Sequence, residues 1–322
     1  MRSVAGDVNG RRTSGARQTA RTWSKWRRTR CSGLGGSEIL AVFVRAGTIA
    51  PVSVSTPTSR RTIGQRYKTC PVDCPLYLDN TIENLSDFFA VFHSLLEVNK
   101  TFWFRGHPRN EYRLAPSALR YPEEEKRTRA LGLTADMKRY LEMKLVRPPS
   151  ATDDLGWMQV AQHYGLPTRL LDWTQNAAVA LFFACCKDYD SDGAVIVLNP
   201  IELNIAVDRQ SPRVFSVQTD PAIIQPYMNL SGAISTRGRP TIAINPTWNT
   251  ERIAMQHGAF TLHGSKKIDL DRHQASSLLL VPILREHKLA LLNELERVGI
   301  GEMFIFPEPE HVCSHLKQKA GL

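Results

Sequence analysis

Arg105 stands at the end of a short run, Thr101-Phe102-Trp103-Phe104, whose other residues are aromatic or β-favouring. A guanidinium there has two resolutions. It pairs internally with an acid such as Asp172, because an unpaired buried charge is too costly, or it faces a cleft and offers a rigid fork to a phosphate or ribose. Between residues 162 and 174, Gln162, His163, Arg169, Asp172 and Thr174 crowd polar groups around a sharp turn beside two apolar runs. Asp172 is flanked by Leu170, Leu171 and Trp173, so it is expected to be buried and to stay ionised through Arg169 or Arg105. His163 falls near a helix C-terminus, where it is either an exposed, dipole-stabilised group or a member of the site. Further along, Glu251 and Gln256 precede the apolar run that ends at Leu262.

Some chemistries are disfavoured at once. No G-x-G-x-x-G or G-x-x-x-x-G-K-[ST] run is present, so neither a dinucleotide-binding βαβ turn nor a P-loop is supported. No serine lies in a nucleophile elbow, and Cys185 and Cys186 sit in an apolar helical run as small buried hydrophobes. The six cysteines (31, 70, 74, 185, 186 and 313) have no paired C-x2-C spacing, so no metal is expected and reduced thiols in a cytoplasmic protein are the simple expectation.

The elements that must hold these residues follow from periodicity and punctuation. Ser86 caps an amphipathic helix with Leu85, Phe88, Phe89, Phe92, Leu95 and Leu96 on one face. Thr101 to Arg105 is a strand that Gly106-His107-Pro108 breaks immediately after the arginine. A charged helix over 123–145 is interrupted near Gly132. Asp153 or Asp154 caps a helix with Leu155, Met158, Ala161 and Tyr164 inward and Gly165 as its stop. A strand over 168–173 leads to the helix Ala177 to Cys186, capped by Thr174 or Asn176, and then to the wholly apolar strand Ala194 to Leu198. Residues 200–250 are loops around short elements. Ile253 to Leu262 and Ser276 to Val281 are strands, and Leu284 to Val298 is a helix stopped by Gly299. Helices and strands mix without βαβ alternation. The expected fold is α+β, a mixed or antiparallel sheet core with packed helices.

Charge divides the chain. The net charge of +10 comes from the first 70 residues, where 14 Lys/Arg face two acids; residues 71–322 carry 27 bases and 29 acids. A near-neutral globular domain over 71–322 is therefore expected behind a basic, disordered N-terminal extension over 1–70, which has too few apolar residues to offset ordering entropy. The extension has three readings: a non-native or dispensable solvated tail, a transit peptide, or an arm in which Trp23 and Trp26 among Lys25, Arg27, Arg28 and Arg30 contact nucleic acid. No run approaches 18 apolar residues, so no membrane partner is expected.

Phe104-Arg105-Gly106, the segment Gln162 to Thr174, the set Arg252, Gln256, Gly258 and Phe260, and the closing Gly299-Ile300-Gly301 with Phe306-Pro307 together resemble the FRG domain family. The likeness runs from about residue 80 to about residue 318. FRG domains resemble components of bacterial and phage-conflict systems. A second, pattern-level resemblance is to the arginine-serine-glutamate class of ADP-ribosyltransferases. It is carried by Phe104-Arg105-Gly106, Trp173-Thr174-Gln175-Asn176, the helix Val179-Ala180-Leu181-Phe182-Phe183-Ala184 and Glu251…Gln256…Phe260.

That resemblance implies an ADP-ribosyltransferase-like fold with NAD as substrate, Arg105 on the ribose-phosphate and Thr174 supporting the site. It also implies a carboxylate on the nicotinamide ribose that stabilises an oxocarbenium-like transition state. Gln256, shared with FRG proteins, can hydrogen-bond a ribose but carries no charge; Glu251 could supply the charge. The expected catalytic set is Gln256, Glu251 and Arg105, and the expected NAD-binding set is Arg105, Trp173, Thr174, Arg169 and His163. In that site Trp173 offers a flat face, Thr174 a hydroxyl at a strand-to-helix turn, and Gly106 a break where backbone approaches the ligand. The acceptor, a protein or a nucleic acid, is left open. The alternative is a non-enzymatic module that binds a nucleotide, a nucleic acid or a protein.

Overall fold

Every position of the hexapeptide Gly193–Leu198 is apolar and buried, as a strand covered on both faces requires. It lies inside a six-stranded sheet. The structure, a computed structural model, describes residues 82–95, 100–228, 238–247, 250–264 and 277–322. The basic extension over 1–70, with its expected disorder, lies outside the described residues, as do Cys31, Cys70 and Cys74. The strands are β1 (Trp103–His107), β2 (Leu170–Thr174), β3 (Gly193–Leu198), β4 (Ile242–Ile244), β5 (Gly258–Leu262) and β6 (Leu278–Ile283). Their order is β4-β5-β2-β1-β3-β6, and every pairing between them is antiparallel. With its helices the chain is α+β, as expected from the element pattern.

The pairings are unequal. β1 runs alongside β3 for five residues and β2 alongside β5 for five. β1 and β2 share one pair only, Phe104 with Thr174. Beyond it β1 stays with β3 and β2 stays with β5, so the sheet has a seam at its middle.

Alternation along the strands sorts the core. Phe104, Val195, Val197, Val281 and Ile283 pack beneath α1 (Leu85–Leu95), α4 (Ala177–Cys185) and α8 (Lys288–Arg297). Trp103, Leu171, Trp173, Ile196, Leu198 and Leu280 make a second cluster on the other face. Helix α4 lies close on β1. A Cβ added at Gly106 would come within 2.6 Å of the Ala184 amide nitrogen and closer still to the Ala180 carbonyl oxygen. This corrects the expected strand break: β1 continues through Gly106 to His107, and the glycine admits a helix rather than a ligand. β6 is an edge strand, which is where a sheet tolerates a proline such as Pro282.

Other expectations shift for local reasons. Asn84, not Ser86, caps α1, its Oδ1 accepting from the Asp87 amide at 3.0 Å. Phe89 and Tyr164, placed inward by spacing alone, are exposed. Helix α2 (Glu124–Leu141) runs unbroken through Gly132, whose surroundings are open; a mid-helix glycine costs only about 1 kcal/mol. Helix α3 (Asp154–His163) is capped by Asp153 and followed by Gly165 at φ 82, as the sequence predicts. The expected strand from Ile253 is a strand only from Gly258. Residues Glu251–Met255 form helix α7, started by Thr250, whose hydroxyl accepts from the Ile253 amide at 3.3 Å, and His257 turns the chain at φ 48. The short helices α5 (Pro200–Ile205), α6 (Pro221–Ile224), α9 (Glu302–Ile305) and the terminal α10 (Pro309–Lys319) complete the described fold. No helix among the described residues is long and apolar enough to cross a membrane.

Candidate functional site

Where β1 and β2 part, the Asp172 carbonyl has no β1 amide to accept from. Arg105 fills that place: its Nη1 donates to the Asp172 carbonyl oxygen at 2.6 Å, and its Nε donates to His107 Nε2 at 2.9 Å. The second bond requires an unprotonated His107 Nε2 and hence a neutral ring. Burial, together with the charges of Arg105 and Arg120, holds the His107 pKa well below the usual imidazole value. Burial lowers the Arg105 pKa to about 10 against the opposing pull of Asp172, so the guanidinium is charged at neutral pH. Its side chain is 17% exposed, and its Nη2 has no hydrogen-bond partner in the structure.

Asp172 is not buried. Its side chain is 60% exposed and its Oδ2 lies 3.8 Å from Arg105 Nη1. Strand alternation explains this: Leu171 and Trp173 turn into the opposite-face core, and the residue between them faces outward. Oδ1 accepts from Gln162 Nε2 at 2.5 Å. Arg169 is no partner of Asp172 either. It is almost fully buried, donating to the His263 carbonyl at 3.0 Å and the Tyr227 carbonyl at 2.6 Å, away from the site. Its expected NAD-binding role is thereby corrected to a structural one.

A cleft of about 300 Å³ opens over the seam. It brings together Arg105, His163, Trp173, Thr174 and Gln256. Glu251, exposed at the start of α7, does not line it. Trp173 is present without offering its face: the ring is 3% exposed, packs in the second cluster and donates Nε1–H to Thr261 Oγ1 at 3.1 Å. The aromatic side chains lining the cleft besides it are Phe104, Phe183, Phe260 and Phe306. Phe306 stacks on His311 at 5.0 Å between centroids and carries Arg252 over its ring, also at 5.0 Å. The Thr174 hydroxyl is likewise engaged. It donates to the Gln256 carbonyl at 2.5 Å and accepts from the Asn176 amide at 3.0 Å. Gln256 Nε2 donates to the Ile305 carbonyl at 2.9 Å. Thr174 is therefore a positioning residue that pins the turn bearing Gln256.

Several lining residues were not among those expected to act. Gln159 and Gln162 come from α3 and, with His163, sit at i, i+3 and i+4, so one helix face delivers all three. That spacing was available in the sequence as a polar stripe on an otherwise apolar helix. Gln162 is tied at both ends, to Asp172 and to the Thr168 hydroxyl. Arg252, noted only as a motif member, brings a second cation from α7 and contacts Glu308 at 2.6 Å. Burial alone would raise the Glu308 carboxyl, but the close ion pair with Arg252 holds it below its ordinary range. Burial, then the Arg252 charge, depresses His163, whose Nδ1 is 3.9 Å from Glu308. The cleft thus has two cations, several aromatic rings, and Asp172 as the only acid lining it among the described residues. No group of three or more potential metal ligands clusters among them.

Residues 100–193, from the approach to β1 up to the first residue of β3, match the family model of the FRG domain. No curated protein and no solved structure gives a significant match.

Proposed function

We propose that this chain, which carries an FRG domain, is an ADP-ribosyltransferase-like enzyme that takes NAD in the cleft over the seam. One observation supports this most: Arg105, Thr174, Gln256 and His163, drawn from four separate elements, meet on one concavity together with Arg252 and Phe306. Arg105, whose Nη2 has no partner in the structure, and Arg252 both line the cleft, so two cations are available to a diphosphate. Phe306 lines the same cleft with its ring already stacked on His311 and carrying Arg252, so it would meet the nicotinamide as part of an aromatic wall with Phe183 and Phe260. In the reaction the bond between the nicotinamide nitrogen and ribose C1 breaks, and nicotinamide leaves with the electron pair. A nucleophile of the acceptor adds at C1 and gives up its proton. The positive charge that develops on the ribose needs a nearby carboxylate. Asp172 holds that position in place of Glu251, oriented by Gln162. Gln256, anchored through Thr174 and Ile305, is the ribose hydrogen-bonding group. A role in bacterial or phage-conflict systems, in which consuming NAD or modifying a partner would act, belongs to the same proposal.

A second reading is a non-enzymatic nucleotide-, nucleic-acid- or protein-binding module. It is favoured by the exposure of Asp172, where water screens the charge. Calorimetry and mass-labelling with NAD on the full chain separate the two. Wild type is expected to bind NAD and release nicotinamide. Arg105→Ala should weaken binding by about 1.5–3 kcal/mol, the range for a hydrogen bond to a charged group. Asp172→Asn should bind and fail to turn over, and Gln256→Ala should lose turnover more than affinity. Binding with no turnover across several acceptors moves the reading to the module; no binding removes NAD from it.

A further inference from the structure

Two glutamines one turn apart on α3 face the same cleft in opposite conditions. Gln162 has its amide nitrogen and its oxygen both hydrogen-bonded. Gln159 is 1% exposed, and neither its Nε2 nor its Oε1 has a hydrogen-bond partner. Buried side-chain polar atoms are nearly always paired, and each orphan costs about 1–3 kcal/mol. α3 itself is well anchored, with Asp153 accepting from the Gly156 amide at 2.9 Å and Trp157 Nε1 donating to the Ser150 carbonyl at 3.0 Å. The orphan therefore does not come from a loose helix. It is an unpartnered donor and acceptor, side by side and in one plane, on a residue that lines the cavity.

We infer that Gln159 is a specificity-determining residue that recognises a primary carboxamide on the ligand. An amide and a carboxamide satisfy each other reciprocally: the ligand N–H donates to Oε1, and Nε2–H donates to the ligand carbonyl. A carboxylate in the same place accepts from Nε2 but leaves Oε1 facing a negative oxygen. The inference rests on the reading of the cleft as an NAD site, in which the carboxamide is that of the nicotinamide ring. The remaining cleft charges pull the other way. Arg105 and Arg252 favour a carboxylate, so a preference for the neutral carboxamide has to come from Gln159 and not from the electrostatics of the cleft.

That opposition sets the experiment. Full-chain protein is titrated with NAD and with its deamidated carboxylate counterpart, and separately with nicotinamide and benzamide against nicotinate and benzoate. Wild type should prefer each carboxamide on the order of tenfold, as one satisfied pair implies. Gln159→Leu, close in size, should abolish or reverse the preference while its unfolding midpoint stays level or rises, because the orphaned amide is gone. Gln159→Met provides a second substitution if the first packs badly. The inference is overturned if Gln159→Leu retains the wild-type preference, or if wild type binds carboxamide and carboxylate equally or binds neither. If the small carboxamides bind selectively and NAD does not, Gln159 stands as a carboxamide reader and the NAD reading fails. If NAD and its deamidated form bind alike, the NAD reading stands and the role of Gln159 fails.

Discussion

Arg169 immediately precedes β2 and Arg105 reaches from β1 to the middle residue of β2, and burial brings both to a pKa of about 10. Arg169 is closed off. Two carbonyls from distant segments receive its guanidinium, and it straps residues 227 and 263 to the strand. Arg105 is half closed. One carbonyl and one imidazole take its Nη1 and Nε, its Nη2 has no partner in the structure, and the residue lines the cleft. An interior cation is tolerated in either way, but only the second leaves hydrogen-bonding capacity for something else. A strand-borne arginine is a site residue when its bonds to the protein are incomplete, not merely because it is buried.

Breaking each arginine measures that difference. Arg169→Met strands two buried carbonyls and should cost about 3 kcal/mol or more of stability, seen as a lower denaturant midpoint at constant slope. Arg105→Met strands one carbonyl at the cleft and the Nε2 of His107, a ring that can shift its proton between nitrogens, and should cost about 2 kcal/mol at most; an equal loss at the two positions would erase the distinction. The pH dependence of folding sharpens it. The His107 pKa lies below its unfolded value of 6.5, so the unfolded chain binds the extra proton as pH falls beneath 6.5. Stability from this group is full well above that pH and should drop by about 1 kcal/mol between pH 6.5 and 5.5. His163 adds to the loss in the same direction. His107→Gln should remove the first part of the slope; an unchanged slope would mean that burial beside Arg105 does not hold the ring neutral in the fold. Asp172→Asn, at an exposed carboxylate 3.8 Å from its cation, should change stability by less than about 1 kcal/mol. A loss near 3 kcal/mol would restore the buried pair expected from sequence.

Much of the scaffold was legible because it depends on short-range rules. Wholly apolar residues 194–198, the aspartate cap and glycine stop of α3, Asn176 ahead of an apolar helix and Gly299 after α8 each announce themselves within a few residues. The helix Glu251–Met255 did not, since five residues are too few for a 3.6-residue period to show and the apolar run behind them resembles one longer strand. Asp172 misled because apolar neighbours in sequence lie on the opposite face of a strand. Gly106 looked like a breaker because the helix that needs its missing side chain comes 70 residues later in the chain. Arg105, Thr174 and Gln256 were identified as residues that converge, which they do. Trp173 was assigned a face that the core in fact covers, and Gln159 was passed over because an isolated glutamine on a helix ordinarily faces water.

A sheet joined across its middle by the single rung Phe104–Thr174 is mechanically two three-stranded plates, β4-β5-β2 and β1-β3-β6. Bending stiffness across such a joint is low, because one backbone pair, with the Arg105 bond to the Asp172 carbonyl, carries a load that five pairs share elsewhere in the sheet. Arg105 belongs to one plate and Gln256, pinned by Thr174, to the other. A molecule gripped by both acts as a cross-strut beside the rung. Occupancy of the cleft would then register as rigidity of the whole sheet, out to edges that the ligand never touches.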